Sequence, residues 1–174
     1  MDRLSFRSTQ LGHAYQDVAP LPVTFLLDNI RSLYNVGSFF RTADAVGLDT
    51  LYLCGITAYP PNSGISKTAL GAEDSVAWQY HANAAEILAG LRARGYEIAA
   101  IETSLHSVDM FEWKPVFPVC IVFGHEVDGI RPELLAMADT HVRIPMMGRK
   151  HSLNVATAAG VVLYELLRKY RGLR

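Results

Sequence analysis

Short apolar runs alternate along this chain with segments whose apolar residues recur at helical spacing. Between two of the runs, Val36, Phe39, Phe40 and Ala43 follow the i, i+3, i+4, i+7 pattern of a core-facing helix. Strands that alternate with helices pack as a parallel sheet covered by helices. We therefore predict an α/β fold, with a mostly parallel sheet flanked by helices. The predicted strands are Val23–Leu27, Thr50–Leu53, Val76–Tyr80, Glu97–Ile101, Val119–Phe123 and His141–Ile144.

Several residues mark the ends of the predicted helices. Gly47 is placed to end the first helix, and Asn83 to cap another that runs to about residue 94. Pro132 suits the first turn of a short helix, and Asn154 opens a long amphipathic helix. The proline-containing segment Gly55–Gly64 is predicted to be a loop.

Length and composition fit one globular domain. The chain has 174 residues, of which 50% are hydrophobic and 19% are charged. We predict a short N-terminal extension over residues 1–20 and a single domain over residues 21–174. No apolar run approaches the roughly 20 residues that cross a bilayer, and Met1–Gln10 lacks the apolar core of a signal peptide. A cytoplasmic protein without a membrane partner is the expectation.

Charge and cysteine content narrow the possible ligands. The formal net charge of −1 argues against a large nonspecific nucleic-acid-binding surface but allows a local cluster of cations. Cys54 and Cys120 each lie in an apolar run and are expected to be buried and reduced. The six histidines have no metal-ligand spacing, so no metal site is predicted.

The sequence lacks the signatures of several common enzyme classes. It contains neither the G-x-G-x-x-G turn of dinucleotide-binding domains nor the G-x-x-x-x-G-K-[ST] loop of nucleoside triphosphatases. The G-x-S-x-G nucleophile turn of α/β-hydrolases is also missing. The sequence therefore does not support dinucleotide binding, nucleoside triphosphate hydrolysis or an α/β-hydrolase activity.

Three short polar segments adjoin the predicted strands and helices. They are Asn35–Arg41 (NVGSFFR), Phe123–Ile130 (FGHEVDGI) and Arg149–Val155 (RKHSLNV). In α/β proteins the binding residues lie on loops at the strand ends. We expect the fold to bring these segments together into one site.

Each segment also has a purely structural interpretation. Asn35 could cap the first helix, and Arg41 could be a solvated surface charge. Glu126 could be a surface carboxylate beside a helix, while Ser152 or Asn154 could cap the last helix. On the residues alone, both interpretations stay open.

Together, the segments resemble the three motifs of the SpoU (TrmH-type) RNA ribose 2′-O-methyltransferases, in the SPOUT superfamily. The first is similar to the family pattern N-V-G-s-x-x-R-T-A, and the resemblance runs from about Val23 to Arg168. It implies a C-terminal trefoil knot, S-adenosyl-L-methionine as cofactor, and methyl transfer to the ribose 2′-hydroxyl of tRNA or rRNA. Periodicity alone predicts no knot, because knots are rare.

The resemblance also implies roles for individual residues. Arg41 is the matching catalytic arginine, and positioning is its expected role because a guanidinium stays protonated in proteins. The other residues implied at the reacting end are Asn35, Glu126, Ser152 and Asn154. The implied cofactor-binding residues, many acting through backbone atoms, are Thr103, Gly124, Ile144, Met146, Ser152 and Leu153.

RNA contacts are expected at the cations that adjoin the motifs, namely Arg31, Arg41, Lys67, Arg149 and Lys150. Lys67 belongs to the segment Lys67–Glu73, which is similar to a family loop beside the RNA entrance but is equally well explained as a surface loop. Because the family dimerises through its knot, we expect a homodimer through the knot region and the C-terminal helix.

Two other functions stay open at this point. One is a non-catalytic RNA-binding protein that retains the fold, although Arg41, Glu126 and Asn154 are all present. The other is methyl transfer to a base, which the pairing of Asn35 with Arg41 disfavours because that pair is typical of the ribose-directed branch. The RNA and the modified nucleotide cannot be read from the sequence.

Overall fold

The computed structural model describes residues 19–172, so nearly all of the predicted extension over residues 1–20 lies outside the described part. The strands are β1 (Leu21–Asp28), β2 (Leu48–Cys54), β3 (Trp78–His81), β4 (Glu97–Ile101), β5 (Val108–Asp109), β6 (Val119–Phe123) and β7 (Thr140–Arg143). The helices are α1 (Leu33–Val46), α2 (Ser63–Ala69), α3 (Ala84–Ala93), α4 (Pro132–Leu135) and α5 (Val155–Arg171). A short 3-10 turn covers Ala72–Asp74.

The strands form one sheet in the order β3-β2-β1-β6-β4-β7-β5, and every pair of neighbours is parallel. This confirms the predicted parallel α/β architecture. Because β6 lies between β1 and β4, segments distant in sequence become neighbours. All the strands point the same way, so the loops that follow β1, β6, β4 and β7 share one edge of the sheet.

Alternate residues of the central strands pack into two separate cores. In β1, Val23, Phe25 and Leu27 pack with α1 and α5 on one face, while Leu26 joins α3 and α4 on the other. The strands are buried on both faces, as in other sheets covered by helices. Three aromatic rings from β1, α1 and β6 meet edge to face in the first core, with centroids 5.1–6.0 Å apart; they are Phe25, Phe39 and Phe123.

Three details differ from the sequence predictions. The two-residue strand β5 (Val108–Asp109) was not predicted. Helix α1 begins at Leu33, because the Ser32 hydroxyl accepts the Asn35 N–H, so Ser32 and not Asn35 is the cap. The segment around Lys67 is helical in α2, capped by Asn62, and the prediction of a loop there was wrong. Its seven residues bury only Ile65 and Ala69, too few to produce a periodic signal.

The other helix ends agree with the predictions. Gly47 ends α1 in the left-handed conformation, with φ of 67°, and Asn83 and Asn154 cap α3 and α5. Helix α5 is amphipathic, as predicted, and buries Ala158, Val162 and Leu166 along one face. The trefoil knot stays a prediction.

Candidate functional site

A cavity of about 350 Å³ opens at the carboxyl edge of the sheet, over the ends of β4, β6 and β7. Its walls come from the loops after these three strands and from the start of α5. This is the edge at which parallel α/β proteins bind ligands, and the volume suits a small molecule. All six predicted cofactor-binding residues lie on it, namely Thr103, Gly124, Ile144, Met146, Ser152 and Leu153.

Gly124 allows one loop to close tightly over the end of β6. A Cβ atom on Gly124 would lie 2.3 Å from the Gly129 carbonyl oxygen, a backbone atom that cannot rotate away as a flexible side chain could. The Gly129 N–H donates to the His125 carbonyl oxygen at 2.9 Å, which closes the loop on itself. The loop therefore forms one wall of the cavity only because residue 124 lacks a side chain.

The Glu126 carboxylate in this loop joins it to the start of α1. The backbone N–H groups of Arg31 and Ser32 donate to its two oxygens, each at 3.0 Å. The Asn35 side-chain amide donates to Oε1, also at 3.0 Å. A carboxylate that accepts three such donors is held in one orientation.

Asn154 extends this network to the third segment. Its Nδ2 donates to Asn35 Oδ1 at 3.1 Å, while its own Oδ1 accepts the N–H groups of Ala156 and Thr157 at the first turn of α5. One residue from each polar segment, Asn35, Glu126 and Asn154, thus belongs to a single hydrogen-bonded chain beside the cavity. Asn154 caps the helix and takes part in the network at once, so the two interpretations were not alternatives.

The network also changes the acidity of Glu126. Partial burial on its own raises the pKa of this carboxyl, but the donors from Arg31, Ser32 and Asn35 together outweigh burial and lower it below its usual value. Glu126 is therefore ionised near neutral pH and is a weak base. Its geometry suits an organising role rather than proton abstraction.

Two acidic residues that the sequence analysis did not single out support the same walls. Glu102 follows β4, lines the cavity, and accepts the N–H groups of Thr103 at 3.0 Å and Ile130 at 3.3 Å. Asp28, at the end of β1, is only 1% exposed and binds the Arg131 guanidinium through both oxygens, at 2.7 and 2.9 Å. Asp28 is the last residue of β1 and Glu102 directly follows β4. A carboxylate at the end of a buried strand is the sequence signal that could have identified both residues.

Arg41 lies outside the cavity. It is exposed, and it lines a shallow groove between α1, α2 and α5 together with Lys67, Thr68 and Tyr164. The other predicted RNA contacts are also exposed. Arg31 precedes α1 beside Glu126, while Arg149 and Lys150 precede the cavity residue His151. The five cations thus divide between the cavity rim and the separate groove.

Residues 19–172 contain neither a group of metal-ligating side chains nor a membrane-spanning helix. Within that range, no group of three or more His, Cys, Asp or Glu side chains is arranged to hold a metal ion. No helix in the same range has the length and apolar character needed to span a bilayer.

The fold and cavity define a parallel α/β domain with a cavity of ligand size at the carboxyl edge of its sheet. The SpoU rRNA methylase family matches residues 22–164, which is most of the chain, and the chain belongs to that family.

Individual relatives agree with this assignment. The tRNA (guanosine(18)-2′-O)-methyltransferase of Escherichia coli K12 is 35% identical over 150 residues, which are 84% of this chain and 63% of that protein. The crystal structure of the Aquifex aeolicus TrmH/SpoU tRNA modifying enzyme has a TM-score of 0.79 and 30% identity, and the match covers 87% of this chain and 77% of the other. The AdoMet-bound rRNA methyltransferase from Sinorhizobium meliloti also has a TM-score of 0.79, with 31% identity over 90% and 61% of the two chains. The chain therefore spans less than two thirds of two of these three relatives.

Proposed function

We propose that this protein transfers a methyl group from S-adenosyl-L-methionine to the ribose 2′-hydroxyl of tRNA or rRNA. The observation that carries the proposal is the hydrogen-bonded chain from Glu126 through Asn35 to Asn154, beside a ligand-sized cavity. It unites the three polar segments that resemble the family motifs. Relatives that are named as 2′-O-methyltransferases, and an AdoMet-bound neighbour, support the same reaction.

The cavity has the chemistry that S-adenosyl-L-methionine requires. Ile144, Met146 and Leu153 offer apolar surface for an adenine ring, and Glu102 offers a carboxylate whose oxygens retain acceptor capacity. Thr103 and Gly124 bring strand-end backbone groups to the same cavity. When bound, the cofactor supplies an electrophilic methyl group on a positively charged sulfur. We assign these six residues and Ser152 to its binding.

We propose that Asn35, Glu126 and Asn154 orient the reacting end, together with Ser152. Glu126 holds Asn35 in one rotamer, and Asn35 in turn receives the Asn154 amide. Rigid placement of this kind lowers the entropic cost of aligning a weak nucleophile with its electrophile. The proton that leaves the ribose hydroxyl passes to water, because Glu126 is a weak base and an arginine stays protonated.

We infer that Arg41 acts in a homodimer. The guanidinium is exposed beside α5, in a groove that includes Tyr164, and it does not line the cavity of its own subunit. A pair of subunits that meet along the knot region and α5 would place this groove at their boundary. Arg41 would then bind an RNA phosphate and position the hydroxyl for the cavity of the partner subunit.

Arg31, Arg149 and Lys150 are proposed to bind the phosphates on either side of the target nucleotide, with Lys67 beside Arg41. Their exposure around the cavity rim and the groove supports this assignment. Both tRNA and rRNA remain possible substrates, since relatives of both kinds match. We propose a cytoplasmic location, which such substrates and two free, buried cysteines support.

The decisive experiment incubates the protein and labelled S-adenosyl-L-methionine with total cellular RNA, then digests the RNA to nucleosides. We expect the label in a 2′-O-methylnucleoside. Label on a base would instead indicate the base-directed reaction. Binding of both cofactor and RNA without any transfer would favour a non-catalytic RNA-binding protein.

A mixing experiment tests the shared site. Copies with Arg41→Ala and copies with Asn154→Ala should each be inactive, and reassembled mixtures should regain about a quarter of wild-type activity. Half of the dimers would be mixed, and one of the two sites in each would be intact. A mixture as inactive as its components would show that Arg41 serves its own cavity.

A further inference from the structure

Three aromatic rings cluster at the end of the sheet that lies away from the cavity. Trp78 and Tyr80 are two residues apart on β3 and therefore share one face of that strand. Tyr59, in the loop after β2, packs on both, with ring centroids 4.4 Å from Tyr80 and 6.2 Å from Trp78. Its plane is within 28° of the Trp78 plane, so the two rings stack.

This cluster remains open to solvent. Tyr59 is 46% exposed, Tyr80 is 38% exposed and the neighbouring Ile56 is 67% exposed. Exposed apolar groups that lie together mark a binding surface more often than isolated ones do. An exposed aromatic surface of this kind suits the flat face of a ligand such as a base.

The surrounding charge favours a polyanion. Neither the loop that carries Tyr59, residues 55–62, nor the strand β3 that carries Trp78 and Tyr80 contains a carboxylate. Arg31 is exposed on the adjacent loop after β1. A flat ligand that carries negative charge therefore fits better than an acidic peptide or a neutral apolar segment, and a nucleotide combines both properties.

Hydrogen bonds tie the ring cluster to the network beside the cavity. The Ile30 N–H donates to the buried Thr57 hydroxyl at 3.0 Å, and the Ile56 N–H donates to Asn29 Oδ1, also at 3.0 Å. The next residues, Arg31 and Ser32, donate to Glu126. The loop that carries Tyr59 is therefore fixed relative to the cavity mouth.

The rings are also held in place before any ligand binds. The Tyr80 hydroxyl donates to the Gly55 carbonyl oxygen at 3.0 Å, and Trp78 packs edge to face on the buried Phe40 at 6.4 Å. A surface that is already ordered loses little conformational entropy on binding.

We propose that Tyr59, supported by Tyr80 and Trp78, is a stacking platform for an unpaired base of the RNA substrate, outside the nucleotide that is methylated. This inference rests on the proposed function, because it assumes an RNA substrate. Stacking accepts any base, so the platform would select for unpaired structure rather than for sequence. It would hold single-stranded RNA across the carboxyl edge toward the cavity.

The test compares binding of two labelled RNAs, a hairpin whose loop is randomised in sequence and a fully paired duplex of the same length. For the hairpin, Tyr59→Ala and Tyr59→Leu should lower the affinity by about 5- to 150-fold, the range for the loss of one stacked base. Tyr59→Phe keeps the ring and should bind within about twofold of wild type. Affinity for the duplex should stay unchanged in all three variants.

Further measurements distinguish a failure of the stacking platform from a failure of the proposed function. S-adenosyl-L-methionine binding should match wild type, because Tyr59 does not line the cavity. Tyr59→Ala removes the ring contacts with Tyr80 and Trp78, so unfolding should stay cooperative with a small loss in melting temperature. Equal hairpin affinity of Tyr59→Ala and wild type would overturn the platform and leave the proposed function intact. A change in sedimentation coefficient in Tyr59→Ala, with unchanged hairpin binding, would assign the rings to a subunit contact.

Wild type that binds the hairpin but methylates no RNA would overturn the proposed reaction and leave the platform. Wild type that binds neither RNA would overturn both.

Discussion

The Asn154 side-chain amide donates to the Asn35 side-chain oxygen at 3.1 Å, although the two residues are 119 positions apart in the sequence. The other polar atom of each side-chain amide also makes hydrogen bonds. Asn35 donates to Glu126, and Asn154 accepts from the first turn of α5. A helix cap and the candidate reacting end of the site therefore depend on the same two side chains.

Substitutions of Asn154 can separate its role as a helix cap from its hydrogen bond to Asn35. Asn154→Ala removes the cap and should lower the free energy of unfolding by about 0.5–2 kcal/mol. Asn154→Asp keeps an oxygen cap but cannot donate to Asn35, so we expect near-normal urea unfolding with strongly reduced methyl transfer. An active Asn154→Asp protein would show that the contact with Asn35 is dispensable.

Glu126→Gln should weaken the network while it preserves side-chain shape. The new amide group would face a backbone N–H, so Asn35 loses its fixed orientation and methyl transfer should fall by up to about 100-fold. The matched control is Glu112→Gln, an exposed carboxylate outside the network, which should keep full activity. Equal rates in the two variants would remove Glu126 from the site.

The lowered pKa of Glu126 predicts how its contribution to stability depends on pH. A carboxyl whose folded-state pKa lies below its ordinary value of 4.5 stabilises the fold above that value, and this stabilisation disappears as the pH falls through the folded-state pKa. Urea unfolding of wild type and Glu126→Gln should therefore differ at pH 7 and converge in acid. A difference that grew as the pH fell would contradict the assignment.

Arg41→Ala should strongly reduce methyl transfer without affecting the fold. We expect a loss of about 10²–10⁴-fold in methyl transfer, with normal unfolding and normal S-adenosyl-L-methionine binding, because the side chain is exposed and lies outside the cavity. Arg94→Ala is the control, since Arg94 is an exposed arginine that precedes β4 at the opposite edge of the sheet. Calorimetry measures cofactor binding alongside the rate of methyl transfer, so that a loss of catalysis can be distinguished from a loss of cofactor binding.

Gly124→Ala should damage the cavity wall. The added methyl group would lie 2.3 Å from the Gly129 carbonyl oxygen, so the loop must shift, and S-adenosyl-L-methionine binding should be lost. Gly90→Ala in α3 has open space around it and should raise the free energy of unfolding by about 0.5–1 kcal/mol. Unchanged cofactor binding in Gly124→Ala would exclude this loop from the site.

Both cysteines should be unreactive in the folded protein. Burial, helped by the Asp28 charge, raises the pKa of Cys54 to about 12, and burial raises that of Cys120 as well. Because the thiolate is the reactive species, a thiol reagent at pH 8 should label neither residue until denaturant is added. Rapid labelling of the native protein would contradict the burial.

The sequence predicted best the features that depend on local pattern. The strand alternation, the cap residues Asn83 and Asn154, and the end of α1 at Gly47 all agree with the structure. The prediction failed for α2, whose seven residues bury too few side chains to show a period. The role of Ser32 was missed because a serine near a helix start is too common to stand out.

Only the tertiary structure decided which polar residues become hydrogen-bond or ion-pair partners. Nothing local to Glu126 predicts that it accepts the Arg31 and Ser32 N–H groups, nor does Asp28 identify Arg131 as its partner. These contacts exist because β6 lies between β1 and β4, which brings loops about a hundred residues apart to one edge. The sequence by itself determined which residues are polar at the strand ends. Only the order of the strands decided which of them meet, because hydrogen bonds depend on distances that short-range periodicity does not encode.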